Sequence, residues 1–153
     1  MTVRIASMRA ADYPGVMAFL QRTLPDDWRS SAPMSETQFE RVLADRSVIA
    51  VLAYDNDRVV GWAAGYVFPT LVGQGDTAML DELLVDPAHR GKGIGTSLVS
   101  AFLNIAEAKA APPVAFSATT DFPKEPAATP FQKTGGRRGG LLRQFDWSTE
   151  IRA

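Results

Sequence analysis

A chain of 153 residues can bury a sizeable core without a disulfide or metal staple, and residues 1–153 suit one compact domain better than two. Hydrophobic residues make up 46% and charged residues 22%, a globular mix, while 16 basic against 17 acidic residues offer no field for nucleic acid or an anionic membrane. The absence of cysteine excludes thiol nucleophiles and disulfide frameworks, and a single histidine, His89, argues against a histidine-rich metal site. No metal is therefore expected. The opening residues lack the long apolar core of a signal peptide, and no stretch reaches the ~20 apolar residues of a membrane span. The expectation is a cytoplasmic protein.

Val3 to Met8 alternates enough to predict a first strand. Val16, Phe19, Leu20 and Leu24 follow at helical spacing, with Asp12 as expected N-cap, Pro14 in the first turn, and Pro25-Asp26-Asp27 as the stop. Ser35 and Gln38 have capping-box spacing, and Phe39, Val42 and Leu43 are the expected buried stripe of a second helix. Val48 to Tyr54 and Val59 to Phe68 read as a hairpin around Asp55-Asn56-Asp57. Gly61 and Gly65 within it signal a bulge or a close backbone approach.

A loop over 69–77 leads to a strand at Ala78 to Val85, which Asp86-Pro87 stops. Thr96 to Ala110 is the clearest helix, with Leu98, Phe102, Ile105 and Ala106 on one face, and Pro112-Pro113 breaks it. Val114 to Ala118 reads as a short strand, a Pro-rich polar stretch runs to Pro130, and the last strand is expected at Leu141 to Trp147. The order β-α-α-β-β-β-α-β-(α)-β implies an α/β (α+β) sandwich around a mixed sheet.

Between the Ala78 strand and the long helix lies Arg90-Gly91-Lys92-Gly93-Ile94-Gly95. Backbone amides at a helix N-terminus point outward unpaired, and the helix dipole favours an anion there. Glycines let backbone approach phosphate oxygens, and Arg90 and Lys92 add positive charge. The plainer alternative is a strand-to-helix turn that needs glycine for geometry alone. Two other phosphate loops are excluded by the residues themselves. Gly93 follows Lys92 where G-x-x-x-x-G-K-[ST] wants Ser or Thr, and Thr96 stands at the third glycine of G-x-G-x-x-G.

The run from Leu83 to Gly95 closely resembles motif A of the GNAT acetyltransferases, R/Q-x-x-G-x-G/A, and the element order resembles that family's from the Val3 strand to the Trp147 strand. The resemblance implies the GNAT fold, a mixed, mostly antiparallel central sheet of six to seven strands flanked by helices. It implies acetyl-CoA as acyl-donor substrate, with pyrophosphate on the amides of Gly91, Lys92, Gly93, Ile94, Gly95 and Thr96 beside Arg90. It further implies a pantetheine arm pairing with Leu83, Leu84 and Val85 like an added strand.

Acyl transfer to an ammonium needs a base, and Asp81 and Glu82 are the candidates. Strand alternation sends them to opposite sheet faces, and similarity to members with an acid three residues before the terminal valine favours Glu82. The bland alternatives are a substrate anchor or a solvated strand residue. Pro130 to Gly136 is similar to the family's Y-x-x-x-G-F segment, but Phe131 replaces the tyrosine and has no hydroxyl to donate. Phe131 is expected to pack beside the CoA arm. The upstream asparagine is also missing, with Lys124 near its place. His89 reads as exposed and partnerless, Arg137 and Arg138 as a solvated loop, and Trp28, Trp62 and Trp147 as core or half-buried.

Within the family the nearest resemblance is to aminoglycoside 3-N-acetyltransferases, carried by Val59 to Pro69, Glu82, Glu125-Pro126-Ala127 and Phe145-Asp146. It implies a small-molecule amine acceptor, aminoglycoside or polyamine-like, attacking in a ternary complex. Asp76, Asp81, Glu82, Asp121 and Glu125 are the acids that would face a polycation. Two other readings stand beside it: acetylation of a protein α-amine or lysine, and a catalytically weak acyl-CoA-binding regulatory module. A monomer or homodimer is expected.

Overall fold

The structure, a computed structural model, describes residues 3–24, 34–71, 75–112, 114–118 and 125–135. Strands β1 (Val3–Ser7), β2 (Val48–Asp55), β3 (Arg58–Pro69), β4 (Asp76–Val85) and β5 (Ala115–Ala118) form one sheet in that order. Helices α1 (Tyr13–Thr23), α2 (Glu36–Ala44), α3 (Ile94–Lys109) and α4 (Glu125–Lys133) flank it. Pairing is antiparallel from β1 to β4, and β4 and β5 run parallel, with α3 as the crossover that a parallel pair requires. This is the α/β sandwich with a mixed, mostly antiparallel sheet. The described residues hold five strands rather than six or seven, and the expected strand at Leu141 to Trp147 lies outside them.

Local chemistry accounts for the boundaries. Ser35 Oγ accepts the Gln38 N–H at 3.2 Å while Gln38 Oε1 accepts the Ser35 N–H at 2.9 Å, the reciprocal cap that starts α2. Asp12 holds the N-cap position of α1, as expected, but makes no side-chain capping bond there. Its carboxylate instead accepts the Arg9 N–H at 2.7 Å and closes the 3₁₀ turn Ala10–Asp12 that precedes the helix. Helix α3 starts at Ile94, two residues earlier than expected, because Gly93 takes the N-cap position with φ +81°. In the stretch expected to be Pro-rich and polar, Glu125–Lys133 is helical with Pro130 inside it.

Each sheet face buries its own core. Beneath α3, Ile94, Leu98, Phe102 and Ala106 meet Val51, Ala53, Val60, Ala63 and Leu80. On the other face, Val16 and Phe19 of α1 and Phe39 of α2 meet Leu52, Tyr54 and Val59. Val42, expected in the buried stripe of α2, is instead exposed.

The hairpin glycines have separate reasons. A Cβ on Gly61 would lie 2.9 Å from Leu98 Cδ1, so its absence lets α3 seat on the sheet. A Cβ on Gly65 would collide with the Met79 carbonyl oxygen. That close approach accompanies a register shift: Ala64 pairs with Glu82 and Gly65 with Leu80, leaving Asp81 as the extra residue of a β-bulge.

Gly65→Ala therefore forces side chain into backbone and should cost about 3 kcal/mol. Gly91→Ala meets open space at φ +75° and should cost about 1 kcal/mol. Urea denaturation midpoints compare the two, and equal losses would contradict the close-approach account.

Candidate functional site

Strand β4 carries both halves of the site. At its end, the Asp86 N–H donates to Val60 O at 2.9 Å, and Pro87–His89 forms a 3₁₀ turn capped by Asp86 Oδ1 on the Ala88 N–H at 3.0 Å. The chain then passes through Arg90 and through Gly91 and Gly93, both at positive φ, into α3. The first intrahelical bond is Ser97 N–H to Gly93 O at 3.1 Å, so the amides of Ile94, Gly95 and Thr96 precede any intrahelical acceptor. Gly93 offers no capping side chain. An anion here meets unpaired N–H groups and the positive end of a 16-residue helix.

The loop cations are anchored. Arg90 Nε donates to Val85 O at 3.0 Å and Lys92 Nζ to Ala88 O at 3.0 Å, which keeps both charges over the loop. Gly91 and Gly93 face open space, so positive φ is what requires glycine there. Gly95 answers a different need. A Cβ on it would lie 3.0 Å from Pro130 Cγ, so its absence lets α4 lie against the start of α3. Phe131, the next residue of α4, packs half-buried against the core beneath α3.

Strand β5 pairs with β4 only from Thr77 to Leu80. Beyond Leu80, Leu83, Leu84 and Val85 are paired on the β3 side, opposite Ala63, Trp62 and Gly61, with no β5 partner among the described residues. The bulge falls at this transition. It also overturns the expectation that Asp81 and Glu82 face opposite ways: both line one cavity, because two successive residues oppose one partner. Alternation shifts across it, so Ala78 and Leu80 before the bulge and Leu83 and Val85 after it pack into the same core.

The cavity, about 130 Å³, opens between α2 and the sheet. Desolvation in the cleft pushes the Glu82 carboxyl above its ordinary value although the residue keeps solvent access, and the neighbouring charge of Asp81 pushes the same way. The Trp62 indole N–H pulls back by favouring the ionised form. It lies close enough to be felt, yet buried Nε1 completes no hydrogen bond of ordinary geometry. Trp62 is thus half-buried, as expected, and also lines the cavity.

Of the five acids proposed to meet a polycation, the structure brings only Asp81 and Glu82 together at the cavity. Asp76 sits at the far end of β4, where Oδ2 accepts the Ala111 N–H at 2.9 Å. Asp121 and the Glu125 side chain lie outside the described residues, as do Lys124, Gly136, Arg137, Arg138, Trp28 and Trp147. Among the described residues no group of three or more His, Asp or Glu is placed to hold a metal, and no helix is long and apolar enough to cross a membrane.

His89 is not the exposed, partnerless residue expected. Its side chain is 13% exposed, with Nε2 3.2 Å from Asp55 Oδ2 and Nδ1 3.8 Å from Asp86 Oδ1. Asp86, 7% exposed, also lies 3.7 Å from Arg22 and 3.6 Å from Arg58. Nothing in the sequence links positions 34 apart in this way, and the network braces the turn from which the glycine loop springs. Burial acts to raise Asp86, but the Ala88 N–H and the pull of His89, Arg22 and Arg58 outweigh it, holding the carboxyl below its ordinary 3.8.

A depressed carboxyl contributes stability above its unfolded-state pKa and loses it as pH falls through the folded value. Asp86→Asn should cost about 2 kcal/mol at neutral pH, the arginines being partly screened by solvent. Urea midpoints of the two proteins should converge on acidification through that value. A difference constant with pH would contradict the ionic account.

A family model described as "Acetyltransferase (GNAT) family" matches residues 13–135. The mycothiol acetyltransferase of Rhodococcus jostii (strain RHA1) is 38% identical over 105 residues, 67% of this chain and 31% of that protein. The mycothiol acetyltransferase of Clavibacter sepedonicus is 37% identical over 98 residues, 64% of this chain and 29% of that protein. The chain thus spans about a third of the length of these relatives. An aminoglycoside acetyltransferase from an uncultured soil metagenomic sample, solved with sisomicin, superposes with a TM-score of 0.79 at 15% identity, covering 97% of each chain. That likeness shows the fold.

Proposed function

Because the chain belongs to the acetyltransferase (GNAT) family, whose donor is acetyl-CoA, we propose that it transfers an acetyl group to a primary amine of a small molecule by direct attack in a ternary complex. The observation that carries this reading is the arrangement along β4. An anion-ready helix start follows the strand, Leu83 to Val85 precede it with no β5 partner among the described residues, and two acids face a cavity at the bulge before them. The names of the sequence relatives, mycothiol acetyltransferases, support a small-molecule amine as acceptor.

In this reading the amides of Gly91 to Thr96 take the pyrophosphate, Arg90 and Lys92 add charge, and Leu83 to Val85 pair with the pantetheine arm. Phe131 packs beside that arm. The donor supplies a thioester carbonyl; the chain supplies proton removal and position. Glu82, raised by its cleft, takes a proton from the ammonium directly or through one water, and Asp81 holds the cation. The free amine attacks the carbonyl carbon, the C–S bond breaks, and the nitrogen sheds its second proton to solvent. Phe131 has no proton to give, so the sulfur leaves as thiolate and is protonated by water.

Gly93→Glu, with an anion against the phosphate position, should weaken acetyl-CoA binding at least about a hundredfold. Gly93→Ala, which carries the φ strain alone, separates that effect from misfolding, and calorimetric titration compares them. Tight binding by the Glu variant would remove the loop from the site. Glu82→Gln should leave acetyl-CoA affinity unchanged and lower kcat by about 10²–10⁴. In the parent, kcat/KM should fall with acid around a pKa above the ordinary 4.5 for glutamate, and that limb should vanish in the variant. An unchanged profile would reject Glu82 as the base.

A second reading rests on Phe131: without the family's tyrosine, the chain is an acyl-CoA-binding module whose occupancy controls a partner. Acetyl-CoA binding without amine-dependent thiol release, unaltered by Phe131→Tyr, would favour it.

A further inference from the structure

The cavity in front of Glu82 and Asp81 has a composition unlike that of a polycation site. Among the described residues, the side chains that line it beside the two carboxylates and Tyr66 are apolar: Met8, Met34, Phe39, Leu43 and Trp62, with Val42 at the rim. Three of the exposed large hydrophobic residues meet at this opening, Met34 at 40%, Val42 at 38% and Tyr66 at 44%. A helix that buries Phe39 by the same stripe gains nothing from exposing Val42, so this exposed apolar rim calls for a ligand. The groove continues outward past the same Met34, Val42 and Tyr66 to Gln38, Arg41 and Asp45.

Charge falls in a definite order along the groove. Two carboxylates sit at the inner end, apolar side chains occupy the middle, and Arg41 and Asp45, both exposed, stand together at the outer mouth. A ligand with one ammonium matches this order by pairing its cation with Asp81 and Glu82 and laying its body on the methionines and Trp62. A second ammonium close to the first would be stranded on the apolar middle of the groove, where no carboxylate stands among the described residues.

We propose that the acceptor is a primary monoamine carrying an apolar, arylalkyl-sized body, rather than a polyamine or aminoglycoside. This rests on the reading of Glu82 as the acceptor end of the site, and it replaces the polycationic acceptor that the sequence resemblance implied. Trp62 and the two methionines set the specificity, the carboxylates the position of the nitrogen.

Met8 and Met34 permit a test that needs no turnover. The chain has five methionines, so ¹³C-methyl labelling gives a short spectrum in which Met17, outside the cavity lining, serves as internal control. Titration with 2-phenylethylamine should shift the Met8 and Met34 methyl signals saturably, and spermidine or kanamycin should bind at least about tenfold more weakly. Val42→Asp, at an exposed position, should weaken 2-phenylethylamine about tenfold and strengthen spermidine with the fold intact.

Tighter binding of spermidine or kanamycin than of 2-phenylethylamine, or silence of both methionines with every amine, would overturn the proposal. Acetyl-CoA titration of the same sample keeps the two readings apart. Binding of acetyl-CoA with the wrong amine preference sinks only the acceptor class. Failure to bind acetyl-CoA sinks the transferase reading while the methionine shifts still judge the pocket.

Discussion

Gly65 has no Cβ, and the Met79 carbonyl oxygen comes in where a Cβ would stand. From this approach between β3 and β4 comes the register shift that leaves Asp81 as an extra residue, and from the extra residue comes most of the site. Without it, strict alternation would place Asp81 and Glu82 on opposite faces and would carry Leu83 and Val85 out of the core they share with Leu80. With it, one strand supplies a paired acidic floor on one face, an apolar row beneath α3 on the other, and an end without a β5 partner among the described residues. A bulge costs ladder hydrogen bonds. The many buried aliphatic contacts of β3 and β4 on both faces stabilise the strands on either side of it.

Acid and base lie at separate ends of the same short stretch. The glycine loop gathers unpaired amides, Arg90, Lys92 and a helix N-terminus, while the cleft at the bulge gathers two carboxylates. In the proposed reading an anionic donor is drawn to the loop beyond the end of β4 and a cationic acceptor to the bulge within it, the separation a ternary complex needs. Rigid support reaches the loop from two sides. Asp86 ties the turn to α1 and β3 through Arg22, Arg58 and the Val60 carbonyl, and Gly95 lets α4 rest on the first turn of α3. Neither support touches the bound phosphate in the proposed reading; both fix where its amides point.

Local elements were legible in the sequence because their causes are local. Helical spacing at Val16 and Phe19, the Ser35–Gln38 cap, and the strand–loop–helix at Val85 to Thr96 follow from short-range chemistry and recur in the structure. Gly65 even signalled an irregular strand. What the sequence could not carry was the consequence, since placing Asp81 and Glu82 together depends on which residue of β3 opposes which of β4. The surroundings of His89 are hidden from the sequence for the same reason: Asp55 and Asp86 reach it through the fold. Val42 shows the converse, a helical position whose period predicts burial and whose neighbour is an open groove. Gly95 had a sound phosphate rationale, yet packing against Pro130 is the need the structure shows.

The central claim is that this chain brings acetyl-CoA and an amine together and moves the acetyl group between them. Calorimetric titration of the unmodified protein with acetyl-CoA, followed by thiol release in the same sample as amines are added, tests it most directly. Saturable one-to-one binding and release that appears only with an amine is the result this account predicts. An absence of acetyl-CoA binding would contradict it.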